Sequence, residues 1–280
     1  MIKAKKIIEI INKNKVVQAA NADINEQAKV LNQKIAFEED LKSPILVKIE
    51  NLSKEFKIKN KVKTVLSNIN LTIRQNDKIA LLGVNGAGKT TFLEIISGVQ
   101  SKTSGYISYG YDYNETPYEK IGIQFQISHY PHGLTVKDLI IFLSHINKKI
   151  QIKKDDVEQA IDMFGLRPLL NKEANSLSGG QKQRLNILLA LINKPKLLLL
   201  DELTTGLDVN SQRTVISYLD KFLKKSKIPF MCVSHNIIEI EGLCNRLVLL
   251  KNGEIFCDAD INKVKKEFGS VEQFLIKYIK

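Results

Sequence analysis

At 280 residues, 44% of them hydrophobic and 26% charged, the chain can build a substantial core and lacks the bias of a disordered or fibrous protein. Lys and Arg outnumber Asp and Glu by 42 to 30, a net charge of +12, but the lysines are scattered and not interleaved with aromatics, which favours a solvated surface over a nucleic-acid groove. Cys232, Cys244 and Cys257 are an odd set without CxxC spacing, against a disulfide framework or a zinc site, and no apolar run approaches the ~18 residues of a membrane-spanning helix.

Residues 1–42 contain no Gly and no Pro. Ala20, Ile24, Ala28, Leu31 and Ile35 recur at spacings of three and four and predict one face of a helix, turned either to its own domain or to a partner. The lysines at the start are followed by an apolar patch broken by Glu9, Asn12 and Lys13, so no signal peptide is expected. Ser43-Pro44 marks a boundary. From Ile45 to Arg74 the pattern alternates as strands do, with a lysine-rich hairpin connection around Lys57–Lys63. Phe56, in the first of these strands, either fills core or stacks on a purine.

The apolar run Ile79–Leu82 leads into Gly83-Val84-Asn85-Gly86-Ala87-Gly88-Lys89-Thr90-Thr91, and a helix follows. A strand, a glycine loop and a Lys-Thr pair opening a helix form the P-loop context. The glycines let the backbone approach an anion, and the loop N–H groups and the helix N-terminus attract it. Lys89 can reach β- and γ-phosphates, and the Thr90 hydroxyl can ligate Mg²⁺.

Beyond it, Tyr106–Tyr109 reads as a strand, Tyr111–Tyr118 as a surface loop and Ile121–Phe125 as a buried strand ending at Gln126. Two helices follow, one with Val136, Leu139, Ile140 and Leu143 on a face, the other over Asp155–Phe164. Residues 127–177 thus form a small helical insertion. Ser178 is the N-cap candidate for a helix that opens with Gly179-Gly180-Gln181 and ends near Pro195. Leu197–Leu200 is a fully apolar strand that delivers Asp201-Glu202 to its carboxyl edge, where open α/β sheets bind ligands. Ile228–Val233 does the same for Ser234-His235. Strands alternating with helices predict a parallel sheet.

In this order, Phe56, the P-loop, Gln126, Leu177-Ser178-Gly179-Gly180-Gln181, Asp201-Glu202, the Gly206–Asp208 segment and His235 resemble the nucleotide-binding cassette of ABC ATPases, over roughly Ile45 to Cys257. The resemblance implies a P-loop NTPase fold, α/β, with a RecA-like mixed sheet core, an antiparallel β subdomain and a small helical insertion. Residues 1–44 would be an N-terminal helical extension, 45–257 the cassette and 258–280 a short helical tail. It implies ATP and Mg²⁺ as cofactors. Asp201 would hold Mg²⁺ through water opposite Thr90, with Gln126 near the metal and the attacking water. Glu202 would be the general base, and His235 would contact the γ-phosphate. Phe56 would stack on adenine, and Asp208 would border the nucleotide. Ser178, Gly179 and Gly180, with Gln181, would cap the nucleotide of a facing subunit, so a second ABC cassette is an implied partner.

Leu203 stands where the family usually has Pro, Asn245 where it has Asp, and Phe56 where Tyr is more frequent. No catalytic group is removed, so ATP hydrolysis is expected. Transmembrane permease subunits would be separate chains docking beside Gln126, near Ile127, Tyr130 and the helix at Val136–Leu143. That places the protein on the cytoplasmic face of the cell membrane. The segment Gly269–Leu275 resembles the end of exporter-type cassettes, the tail is too short for the regulatory domain of some sugar importers, and export is the expected direction. The alternative is a soluble ABC ATPase without a transport role, such as an iron–sulfur assembly factor.

Overall fold

Two kinds of apolar pattern build two kinds of sheet. The computed structural model describes residues 26–59, 61–113, 115–124, 130–146 and 154–279. Where apolar and polar residues alternate, β1 (Ile45–Ile58), β2 (Lys61–Arg74) and β4 (Ser104–Tyr109) form an antiparallel sheet in the order β2-β1-β4. It buries Val47, Ile49, Leu52, Leu66, Ile69, Leu71 and Ile73. The hairpin pairs Ile58 with Lys61, and Lys59 takes φ 54 at the turn.

Where apolar residues run on without a break, strands are covered on both faces. These are β3 (Lys78–Leu82), β5 (Ile121–Gln124), β6 (Leu197–Asp201), β7 (Phe230–Val233) and β8 (Arg246–Lys251), parallel, with β9 (Glu254–Asp260) antiparallel at one edge. The order is β5-β6-β7-β3-β8-β9. The two faces of β6 belong to different cores. Leu197 and Leu199 pack with Phe92 and Ile96 of α2 (Lys89–Ile96) and with the antiparallel sheet. Leu198 and Leu200 pack with α5 (Gly179–Leu191) and α6 (Val209–Ser226) through Leu185, Leu188, Val215 and Leu219. The same core takes in α3 (Val136–Ile146) and α4 (Lys154–Met163), the two helices expected in the insertion.

A third core joins the two ends of the chain. The first described residues form α1 (26–35), and Leu31 and Ile35 are buried against Phe256, Val264, Val271 and Phe274. The described part of the predicted stripe therefore packs on its own chain; Ala20 and Ile24 lie outside the described residues. The arm continues as a bridge between Ala36 and Ala259 on the open side of β9. Past β9 run α8 (Ile261–Phe268) and α9 (Val271–Tyr278). The tyrosine-rich loop is more than surface. Tyr109 lies edge-on to both Tyr111 and Tyr118, its hydroxyl donates to the Ile96 carbonyl at 2.7 Å, and Tyr111 donates to Pro117 O.

Arg246 ties the three regions together. It donates to Asp258, to the Thr72 carbonyl at 2.9 Å and to Asp77 at 2.7 Å, and its guanidinium lies 4.5 Å from the Phe37 ring centroid. Asn245, the departure beside it, accepts from Lys78 N at 2.9 Å and donates to Asn76 O at 3.2 Å. An amide serves both contacts, as a carboxylate could not.

Candidate nucleotide site

Three parallel strands end at one place. β3 delivers the glycine loop, β6 delivers Asp201 and Glu202, and β7 delivers Ser234 and His235. The loop must be glycine at two points for steric reasons. A Cβ on Gly83 would lie 2.5 Å from the Leu250 carbonyl oxygen, and one on Gly88, at φ 99, would lie 2.6 Å from Leu66. Lys89 is nearly buried, and its Nζ donates to Gly83 O at 2.7 Å and Val84 O at 3.1 Å. Those two bonds hold the ammonium over the loop.

The Thr90 hydroxyl donates to Asp201 Oδ2 at 3.0 Å, joining P-loop to β6. These are hard oxygen donors, the ligand chemistry that suits Mg²⁺. Burial pushes the Asp201 carboxyl up and Glu202's charge adds to that, while the Thr90 hydroxyl and Lys89 pull it back. Burial pulls Lys89 down, and Glu202 and Asp201 draw it back up. For His235, burial lowers the pKa, Lys89's charge lowers it further and Glu202 opposes them. Both lowering effects favour the neutral imidazole. The charges of Lys89 and Glu202 thus both act on Asp201 and His235.

Glu202 is set by the backbone. Its N–H donates to Val233 O at 3.0 Å, and its φ is 55, the left-handed region. For a residue with a side chain this costs about 1–3 kcal/mol and is found where surrounding structure over-determines it. Leu203, buried beneath, lifts the restriction that a proline would place on the residue before it.

The signature segment is also as its residues dictate. Ser178 caps α5, and Gln181 returns the bond to Ser178 N at 3.1 Å, a full capping box. No hydrogen bond or ion pair joins Ser178–Gln181 to Gly83–Thr91 among the described residues. Instead, a Cβ on Gly179 would touch Leu207 at 2.9 Å, and one on Gly180 would touch Ser211 at 3.1 Å. Asp208 is occupied as the N-cap of α6, accepting from Asn210 N and Ser211 N at 3.0 Å each. Phe56 sits on β1 with Lys54 Nζ 4.8 Å from its ring centroid. Gln126 and Ile127 lie outside the described residues.

The comparisons place this geometry. A family model described as ABC transporter matches residues 66–205. The chain belongs to that family. It is an ATP-binding cassette, similar to a spermidine/putrescine import ATP-binding protein of Spiroplasma citri, 34% identical over 215 residues that cover 75% of this chain and 60% of that protein. An uncharacterised ABC transporter ATP-binding protein of Bacillus subtilis is 30% identical, covering 79% and 73%. Among solved structures, a dimeric ATP-binding cassette in a post-hydrolysis state, bound to ADP and Pi, superposes with a TM-score of 0.66. It is 26% identical and covers 77% of this chain and 98% of that one. The cassette spans 60% of the length of the Spiroplasma protein. Its fold is the α/β one expected, a mixed sheet with an antiparallel β subdomain and helices.

Sequence reading missed three polar residues of the cassette's site. Gln124 is buried at the end of β5, its amide donating to Asp201 O at 3.5 Å. Thr204 and Glu239 are buried together behind Glu202. Glu239 stands between Ile238 and Ile240, and a lone carboxylate in such a run reads from sequence as solvent-facing. A cleft of about 450 Å³ between α4, α5 and α6, lined by Met163, Leu188, Phe222 and Ile228, holds none of the site residues.

Proposed function

We propose that this cassette hydrolyses ATP as one of a facing pair and that the cycle moves a substrate through separate membrane subunits. The observation that carries the reading is Glu202. It is held by a left-handed backbone at the end of β6, beside Asp201 and within electrostatic reach of Lys89 and His235. A carboxylate fixed there can take the proton of a water attacking the γ-phosphate. Lys89 and the loop N–H groups hold the β- and γ-phosphates, and a ring N–H of His235 can donate to a γ-phosphate oxygen. Thr90 and Asp201 would hold Mg²⁺, which supplies charge stabilisation to the phosphates, and Gln126 would join them as in the family the chain resembles. Phe56 offers its ring to the adenine.

Two features support pairing. The cap at Ser178, Gly179 and Gly180 is a helix N-terminus suited to an anion, yet it makes no bond to its own P-loop. A dimeric cassette bound to ADP and Pi shares the fold. Each chain would then lend its signature segment to the nucleotide of the other, with ATP joining the pair and hydrolysis releasing it.

The membrane subunits would dock at a cleft of about 290 Å³ beside β5, lined by Gln124, Tyr130, Leu143, Asn186 and Leu189. Tyr130 donates to Asn186 in its wall, and Ile141 and Phe142 lie exposed on α3 nearby. No helix among the described residues is long and apolar enough to cross a membrane, so docking would hold the cassette at the cytoplasmic face. The expectation of export finds no support. The relatives that state a direction include import proteins, and Val271 and Phe274 of the exporter-like segment are buried in their own chain's core. Import is the direction we adopt.

Glu202→Gln tests the mechanism. Turnover should fall by about 10²–10⁴-fold, the usual contribution of a positioned base, while ATP drives the variant into a stable dimer visible by size-exclusion chromatography. Turnover near that of the unaltered protein would remove Glu202 from the mechanism. A variant that stays monomeric at saturating ATP would remove the pairing.

A further inference from the structure

Behind Glu202 lies a polar cluster that the chemistry above does not use. Glu239, in the first turn of α7 (Ile237–Leu243), is 1% exposed. Its Oε1 accepts the hydroxyl hydrogen of Thr204, which is itself buried. The same hydroxyl accepts from Asn236 Nδ2 at 3.2 Å, and that amide also donates to Gln212 Oε1 at 2.9 Å. Gln212 Nε2 in turn donates to Leu207 O at 3.0 Å.

The two ends of this chain of bonds differ in what they serve. Asn236 follows His235 directly, and Thr204 is two residues past Glu202. At the other end is Leu207, whose side chain packs closely on Gly179, and beside Gln212 is Ser211, which packs closely on Gly180. The cluster thus runs from the groups around this chain's own γ-phosphate position to the signature segment that faces the partner's nucleotide.

Packing alone does not explain a carboxyl here. Glu239 is a carboxyl buried among apolar residues, with the hydroxyls of Thr204 and Ser234 as its polar neighbours. Such a group costs stability that an aliphatic side chain would not. Burial pushes the carboxyl up, with Glu202's charge adding to it, while the hydroxyls of Thr204 and Ser234 and the Thr204 backbone pull it back. What Glu239 contributes is direction, since it fixes the hydroxyl of Thr204 in one orientation and so lets it receive Asn236.

We propose that Glu239 is a positioning residue for ATP turnover. Through the Thr204 hydroxyl it latches the segment between Glu202 and α6, which packs beside the signature segment, to the helix that follows His235. The latch keeps Glu202 in line with the attacking water and moves the signature segment together with His235. This rests on the cassette-pair reading above, in which Glu202 and His235 act on one nucleotide and Ser178–Gln181 on the other.

The test compares Glu239→Ala, Glu239→Gln, Thr204→Val and the double variant Glu239→Ala/Thr204→Val in the whole chain, in the assembly in which the unaltered protein turns over ATP. A displaced base costs about 10²-fold for a shift near 1 Å, so kcat should fall by about 10- to 100-fold in Glu239→Ala and Thr204→Val. ATP affinity should stay unchanged, because an interaction made only in the transition state lowers kcat without touching ground-state binding. The double variant should be no slower than the slower single one, because both cut the same bond. Glu239→Gln, whose Oε1 can still accept from Thr204, should restore most of the rate. Multiplicative losses in the double variant would overturn the latch, as would affinity and melting temperature falling in step with kcat. If Glu239→Ala does not fold, Thr204→Val decides alone, because valine keeps the shape, and an unchanged kcat there overturns the proposal. Failure of the cassette reading looks different: the unaltered chain itself would bind ATP without turning it over.

Discussion

The two edges of the large sheet are built on opposite rules. At the carboxyl ends of β3, β6 and β7, glycines sit in tight loops, Glu202 takes a left-handed backbone, and Lys89, Asp201 and His235 have pKa values displaced by burial and by one another. At the β8–β9 side, Arg246 satisfies its guanidinium on Thr72, Asp77 and Asp258 and stacks on Phe37, while Arg74 donates to Ser43 O at 2.8 Å and to Glu39 at 2.9 Å. One edge keeps charges close and imperfectly neutralised, ready for an incoming anion. The other pairs Arg246 with Asp77 and Asp258 and Arg74 with Glu39, and so holds distant parts of the chain in register. The strained backbone of Glu202 stands where the chemistry is done, and the Arg246 network stands where distant parts of the chain are tied together.

Replacing Arg246 tests the second half of that contrast with the largest expected effect. Arg246→Met leaves Asp77 buried without its cation and should cost about 3–5 kcal/mol of unfolding free energy by denaturant titration. ATP affinity of the fraction that folds should be unchanged. A loss below about 1 kcal/mol would mean that the network is dispensable. Ile35→Ala asks whether the arm belongs to the same cooperative unit. Ile35 is fully buried between α1 and the C-terminal helices, so removing its side chain should cost about 2–5 kcal/mol in a single transition. A separate early transition would make the arm an independent appendage. The smallest effect probes the nucleotide edge. Burial and Lys89 lower the pKa of His235, so its ring should titrate by NMR below the usual imidazole midpoint. The unfolded chain takes up that proton first, so stability falls as pH drops from the ordinary imidazole value towards the folded one. In Lys89→Ala the His235 midpoint should rise. A midpoint that stays put would show that the two side chains do not share a field.

Much of the nucleotide edge was legible because its signals are local. The glycine spacing, the Lys-Thr pair, the four leucines before Asp201 and the Ser178/Gln181 capping box each lie within a short window, and each takes the conformation its residues prefer. The helical face holding Leu31 and Ile35 was legible too, but not what it meets, since Phe256, Val264 and Phe274 lie more than 200 residues away. For the same reason nothing in the segment around Arg246 announced Thr72, Asp77 or Phe37 as its neighbours. Tyr111 read as loop surface because its hydroxyl is polar, yet that hydroxyl finds the Pro117 carbonyl and its ring packs on Tyr109 of the preceding strand. Glu239 was missed because a buried carboxyl looks like a solvated one until its hydroxyl partner, 35 residues earlier, is in view.

The short bridge from Ala36 to Ala259 has a consequence for how the protein behaves in a crowded cell. β9 is the last strand of its sheet, and its outer side presents backbone donors and acceptors to any extended chain that comes near. Phe37 N takes the Asp258 carbonyl at 3.0 Å, and Asn32 donates to Phe256 O and accepts from Asp258 N. The arm thus occupies an adhesive border with its own backbone and side-chain amide. A version of the protein lacking residues up to 39 would bare that border, and its copies would tend to join strand to strand into aggregates.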